Sequence, residues 1–225
     1  MHRTQPGFTL VEIAIVLVII SLLLGGVLKG QELINSAKVK NLAGDFRNVQ
    51  AMIYGYQDKY RKLPGDDNGA LTRFSPNLSA GHAGNGNGVL QGQWNESDPA
   101  AASNGNESVL LWEHLRRANL ATGSTDFSSK DAAAQALPTN AESGRFGLSG
   151  TKPIKTMLGG SFYACSDNID GKHASQLDLA LDDGKPDTGS MQAIAQSEGT
   201  TQADGTKDAS AQYTDGTRYT ACLTY

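Results

Sequence analysis

The sequence predicts an α+β fold: a long N-terminal α-helix, with a transmembrane half and an amphipathic half, packed on a loop-rich head with a small antiparallel β-sheet. Three observations predict it. Residues 8–28, FTLVEIAIVLVIISLLLGGVL, carry a single ionisable group, Glu12. Beyond them, apolar side chains recur every three or four positions as far as Leu63. The rest of the chain is rich in turn residues and ends in short segments of strand character. Average composition hides this division. With 26 glycines in 225 residues and a mean hydropathy of −0.36, the chain is polar overall, so its apolar residues must be concentrated.

They are concentrated at the N-terminus. As a helix, residues 8–28 extend about 32 Å, close to the ~30 Å hydrocarbon thickness of a bilayer. A secretory signal would have a shorter apolar core followed by a cleavage site of small residues, whereas this run continues without a turn into KGQELINSAKVKNLAGDFRNVQ. A generic anchor fits the length but leaves Glu12 unexplained, since a charge in hydrocarbon costs on the order of 3 kcal/mol. Next, Val39, Leu42, Phe46, Val49, Ile53, Tyr56, Tyr60 and Leu63 form a helical stripe. That stripe is the spine for a head or a coiled-coil seam, and the length of chain that follows favours a head. The helix is expected to end near Leu63, because the residue before Pro64 is pushed out of helical geometry.

The stretch after Pro64, including GHAGNGNGVLQGQW, reads as a long ordered loop or a linker, and Phe74, Leu78 and Trp94 favour the ordered reading. Residues 107–120, ESVLLWEHLRRANL, form a short amphipathic helix with Leu111, Trp112, Leu115 and Ala118 on one face. Residues 121–153 read as loop. Strands are expected around Cys165 (SFYACS), at 177–181 (LDLAL), at 190–194 (SMQAI) and at 218–225 (RYTACLTY), the last as an edge of the sheet.

A formal charge of −4 gives no general electrostatic drive toward nucleic acid or acidic membrane. The pair Arg116 and Arg117 is too small a patch to imply nucleic acid. Two cysteines, Cys165 and Cys222, exclude a four-cysteine zinc site and leave one disulfide or two buried thiols. No nucleophile elbow, Walker A or HExxH sequence is present, and GNGNGVLQG fails the dinucleotide-binding spacing. The chain therefore reads as a non-enzyme that needs no cofactor. His82, His114 and His173 are scattered and read as surface or cap residues. Asp182, Asp183 and Asp187 in LDDGKPDTGS surround a turn that suits either Ca²⁺ or a plain Asp-Gly hairpin. Asn85 and Asn87 in the GNGNG run also offer oxygens.

The leader MHRTQPG followed by FTLVE resembles the type IV prepilin signature, shared by type IV pilins and pseudopilins: a short hydrophilic leader ending in Gly, an aromatic residue, then Glu at the fifth mature position. The leader departs in one respect, since only His2 and Arg3 supply basic character. The looser LPGDD sequence and the Gly/Asn-rich run after it resemble a subset of large prepilin-like proteins. The resemblance implies cleavage between Gly7 and Phe8 by prepilin peptidase and N-methylation of Phe8. It implies that Glu12 neutralises the Phe8 amine of a neighbouring subunit and sets register, and that Gly25 and Gly26 mark a segment that unwinds on assembly. Close packing through small residues is the other reading of those two glycines. A C-terminal disulfide between Cys165 and Cys222 and a calcium loop in some pseudopilins are also implied.

The resulting domains are a leader (1–7), the N-terminal helix (8–63, with 8–28 as the transmembrane segment and filament core) and a head (64–225) with a C-terminal disulfide region. The implied function is a structural subunit of a type IV pilus-like filament. Its partners are other copies, the peptidase and the inner-membrane assembly machinery, with no nucleic acid. The precursor is expected in the bacterial inner membrane and the product at the cell surface. A minor or tip subunit acting as an adhesin or ligand-binding module, or a type II secretion pseudopilin, is the alternative.

Overall fold

A computed structural model describes residues 9–79, 81–99, 106–196 and 203–225. The chain divides into two compact units, Met1–Lys38 and Val39–Tyr225. Helix α1, Leu10–Tyr60, contributes to both.

In the first unit α1 is apolar and unburied. Leu10 is 91% exposed, and Val16, Ile19, Leu23 and Leu28 are exposed as well. The most apolar stretch of α1 has a mean hydropathy of 2.8 and none of it is buried, so α1 has the length and composition to cross a membrane. Gly25 and Gly26 do not interrupt it, although each weakens a helix by about 1 kcal/mol relative to Ala.

In the second unit the rest of α1 supplies Leu42, Phe46, Val49, Ile53 and Tyr56 to the core, all fully buried, as the 3–4 spacing requires. The helix stops at Tyr60, short of Leu63, because Arg61 adopts φ 57°, the left-handed conformation that ends many helices. A single turn, α2 (Ala70–Arg73), lies within the long connection to α3 (Glu107–Arg117). Helix α3 is buried on nearly every side, polar residues included, rather than on one face. Helix α4 (Lys130–Ala136) and strand β1 (Phe146–Ser149) follow where loop was expected. Strand β2 (Tyr163–Asp170), helix α5 (Gly171–Leu181), and strands β3 (Met191–Ala195) and β4 (Arg218–Thr224) complete the order.

The sheet is antiparallel in the order β1-β2-β4-β3. Strand β4 is therefore internal, paired with β2 and β3, and not the expected edge. Residues 177–181 are the second correction: LDLAL belongs to α5. Ala174, Leu177 and Asp178 are buried while Leu179 is 70% exposed, a helical period that the five-residue alternation concealed. Asp170 starts the helix by accepting the N–H of Lys172.

Alternate residues of the sheet enter two cores. Ala164, Met191, Ala193, Ala221 and Leu223 join the large core built with α1 and α3. Tyr163, Cys165, Ile194 and Cys222 join a smaller one with Trp94, Ile154 and Met157. Both faces are covered, so the strands are buried almost continuously. Gly147 shows how closely the second layer approaches: a Cβ there would stand 1.9 Å from the Trp94 carbonyl oxygen.

Candidate functional site

Two of the residues expected at the processing site, Gly7 and Phe8, lie outside the described residues. The first described turn is ordered by Thr9 and Glu12. Glu12 Oε2 accepts the Thr9 N–H and the Thr9 hydroxyl, both at 2.8 Å, and Thr9 Oγ1 faces the Glu12 N–H at 3.3 Å. This reciprocal pair is a capping box, which satisfies helix N–H groups that otherwise lack partners. The carboxylate thus sits at the start of α1, fixed to the residue after Phe8. The T-x-x-E spacing within FTLVE carries that signal in the sequence, and Thr9 was missed as a functional residue.

At the far end of the apolar stretch, Lys29 Nζ pairs with Glu32 at 2.7 Å. Exposed apolar side chains continue to Leu33 and Ile34. A Cβ added at Gly25, Gly26 or Gly30 would meet nothing within 4 Å, so contacts within this copy do not demand glycine there.

In the head, Cys165 and Cys222 face one another across β2 and β4 and are joined, with S–S 2.14 Å. The acidic turn differs from its expected grouping. Asp178, Asp182 and Asp183 bring carboxylate oxygens within 4.8 Å of one another, while Asp187 is not in that group. Asp178 was invisible as a member because it occupies the buried face of α5. Its oxygens accept from the Tyr213 hydroxyl and the Gly184 N–H, and Asp182 accepts from the Met191 N–H. Burial first, then the charges of Asp183 and Asp182, push Asp178 up to about 6 against the two hydrogen bonds.

His82, His114 and His173 are buried rather than superficial. His82 Nδ1 meets Glu113 at 2.7 Å. His114 Nδ1 accepts the Gly65 N–H and its Nε2 donates to the His82 carbonyl; burial holds its pKa down and the ring neutral. His173 pairs with Glu142, which also holds Arg218. Arg116 and Arg117 form no surface patch. Arg116 is buried and donates to the carbonyls of Thr122, Ser124 and Ala136, and Arg117 pairs with Glu113.

The long connection is ordered by buried carboxylates. Asp66 accepts from the N–H groups of Gly86, Asn87 and Gly88. Glu107 accepts from Asn85 and Gln91, and burial with the nearby Asp66 charge raises its pKa. Asp67 accepts from Tyr56, Gly69 and Arg73. Burial alone would raise its pKa, yet these donors hold it below the ordinary value. Asn85 and Asn87 use their side-chain oxygens to close local turns, so GNGNG encloses a protein carboxylate.

Residues 2–28 match the family model of the prokaryotic N-terminal methylation motif. No curated protein and no solved structure matches the chain. The match covers the leader, the aromatic residue, Glu12 and the apolar run together. It supports a prepilin-type substrate and a structural subunit rather than an enzyme.

Proposed function

We propose that the chain is a structural subunit of a type IV pilus-like filament. It is cut between Gly7 and Phe8, N-methylated at Phe8, held in the inner membrane by residues 8–28 and then polymerised outside it through α1. The observation that carries this reading is the methylation motif at residues 2–28 on a helix whose apolar side chains are unburied. Those side chains need a partner phase. Lipid supplies it before assembly, and the same segment of neighbouring copies supplies it afterwards.

Glu12 sets register in this scheme. In an apolar filament core, a carboxylate paired with the Phe8 ammonium of a neighbour avoids much of the cost of either charge alone. The capping box supports the role by holding the carboxylate beside the helix start.

Intact mass and electron microscopy of sheared surface filaments test the proposal. The expected subunit lacks residues 1–7, carries one added methyl group and is the dominant band. Normal filaments assembled from uncleaved chains would overturn it. Correctly processed chain present only at trace level in filaments built of another subunit would instead identify a minor subunit.

A further inference from the structure

The GNGNG run contains two Asn-Gly peptides, Asn85-Gly86 and Asn87-Gly88, and all four residues are exposed to water. An Asn followed by Gly is open to succinimide chemistry, because no Cβ shields the nitrogen that follows the Asn. That nitrogen attacks the Asn Cγ and an N–Cγ bond forms. The side-chain nitrogen leaves as ammonia, taking the proton that the backbone nitrogen gives up. Water then opens the ring on one side or the other and leaves Asp or isoaspartate.

In the folded chain both attacking nitrogens are already committed. The Gly86 N–H donates to Asp66 Oδ1 and the Gly88 N–H to Asp66 Oδ2, each at 2.6 Å, and Asp66 is buried. The carboxamides under attack are held as well. Asn85 Oδ1 accepts the Asn87 N–H at 2.9 Å, and Asn85 Nδ2 donates to Gln91 Oε1 at 3.1 Å. Asn87 Oδ1 accepts the Val89 N–H at 2.9 Å. Ring closure at either site must therefore break a charge-assisted hydrogen bond at the nitrogen and swing a carboxamide out of its turn.

We propose that Asn85-Gly86 and Asn87-Gly88 are latent deamidation sites that Asp66 holds inert, and that conversion at Asn85, once the loop has opened, opposes its closing again. The second half follows from charge. The Asn87 N–H is shared between Asp66 Oδ1, at 3.0 Å, and Asn85 Oδ1, so those two oxygens are neighbours. Glu107 Oε1 accepts the Asn85 N–H at 3.0 Å. Asp at position 85 sets a new carboxylate beside two buried ones that accept from backbone N–H groups, and like charges so placed repel. Isoaspartate also lengthens the backbone by a methylene and shifts the donors out of step with Asp66.

Peptide-resolved mass spectrometry of the full chain in non-ionic detergent, held in mildly alkaline buffer with the Cys165–Cys222 bond intact, tests the proposal against a synthetic peptide of residues 82–92. Both sites are expected to convert about tenfold or more slowly in the folded chain, as a hydrogen bond to a charged acceptor implies. Asp66→Asn turns one acceptor oxygen into an NH₂ donor facing these amides, and should speed conversion at both sites by a similar factor. Amide exchange at Gly86 and Gly88 reads the same hold in the unmodified chain, and both amides are expected to be protected. Asn85→Asp, which supplies the converted side chain directly, should speed their exchange at neutral pH. Conversion of the folded chain at the peptide's rate, unprotected Gly86 and Gly88 amides, unchanged conversion in folded Asp66→Asn, or unchanged exchange in Asn85→Asp overturns the proposal.

Discussion

Asp45 opposes folding at neutral pH. Its carboxyl titrates near 6 in the folded chain against an ordinary 3.8, because burial disfavours the charge and no partner restores it. The folded state therefore binds a proton more tightly than the unfolded state, and stability falls as pH rises through the window from about 4 to 6. Asp45→Asn should stabilise the chain by about 1 kcal/mol near pH 7.5, after allowance for solvent screening, with the gain vanishing below about pH 4. Denaturant melts of both chains across that range check it. Asp67 has the opposite character. Its buried carboxylate unites Tyr56, Gly69 and Arg73, so Asp67→Ala strands a half-buried guanidinium and two donors and should cost about 3 kcal/mol or more. An unchanged denaturation midpoint would contradict that role. Neither effect was legible in the sequence. The Gly86, Asn87 and Gly88 amides reach Asp66, and Arg73 reaches Asp67, only after the chain has closed on itself, whereas Glu12 could be singled out because its neighbours in sequence define its setting.

At the scale of elements, legibility followed how each segment is buried. The α1 stripe was readable because one face meets the core over several turns, and Leu42, Phe46, Val49, Ile53 and Tyr56 all lie on it. Strand β1 was not, because both faces of FGLS are buried and the segment lacks alternation. Helix α5 was misread because LDLAL alternates over five residues, while the period that decides its fold begins at His173 and Ala174. Helix α4 announced itself through a cap and an alanine-rich run that a loop reading passed over. The Ser129 side chain accepts the Ala132 N–H there, and Ser129→Ala should destabilise the head by about 0.5–2 kcal/mol, measured by thermal or denaturant melting. The bond between β2 and β4 has a larger expected effect. Replacing both Cys165 and Cys222 with Ser should cost about 2–5 kcal/mol, with the drop in denaturation midpoint as the measurement.

At the scale of the molecule, the division at Lys38 and Val39 separates two kinds of stability. Residues 39–225 contain both apolar cores, the sheet and the disulfide. This portion, made alone in an oxidising compartment, should be soluble and melt cooperatively with the bond intact; a chain without a cooperative transition would show that the head depends on residues 1–38. The leader signature was legible because it is written in contiguous residues, and the methylation motif matches residues 2–28 as sequence.

The sulfur bridge between the inner strands also governs how the head bears tension. A pull that enters along α1 and leaves beyond Cys222 is carried across the bond from Cys165 and bypasses the chain between them. The bonded residues are separated by 57 positions, so about 190 Å of contour length cannot be drawn out while the bond is closed. α5, β3 and the acidic turn lie inside that sheltered loop. They remain unstretched under a load that would lengthen the segments before Cys165, and reduction alone would turn a short tether into a long one.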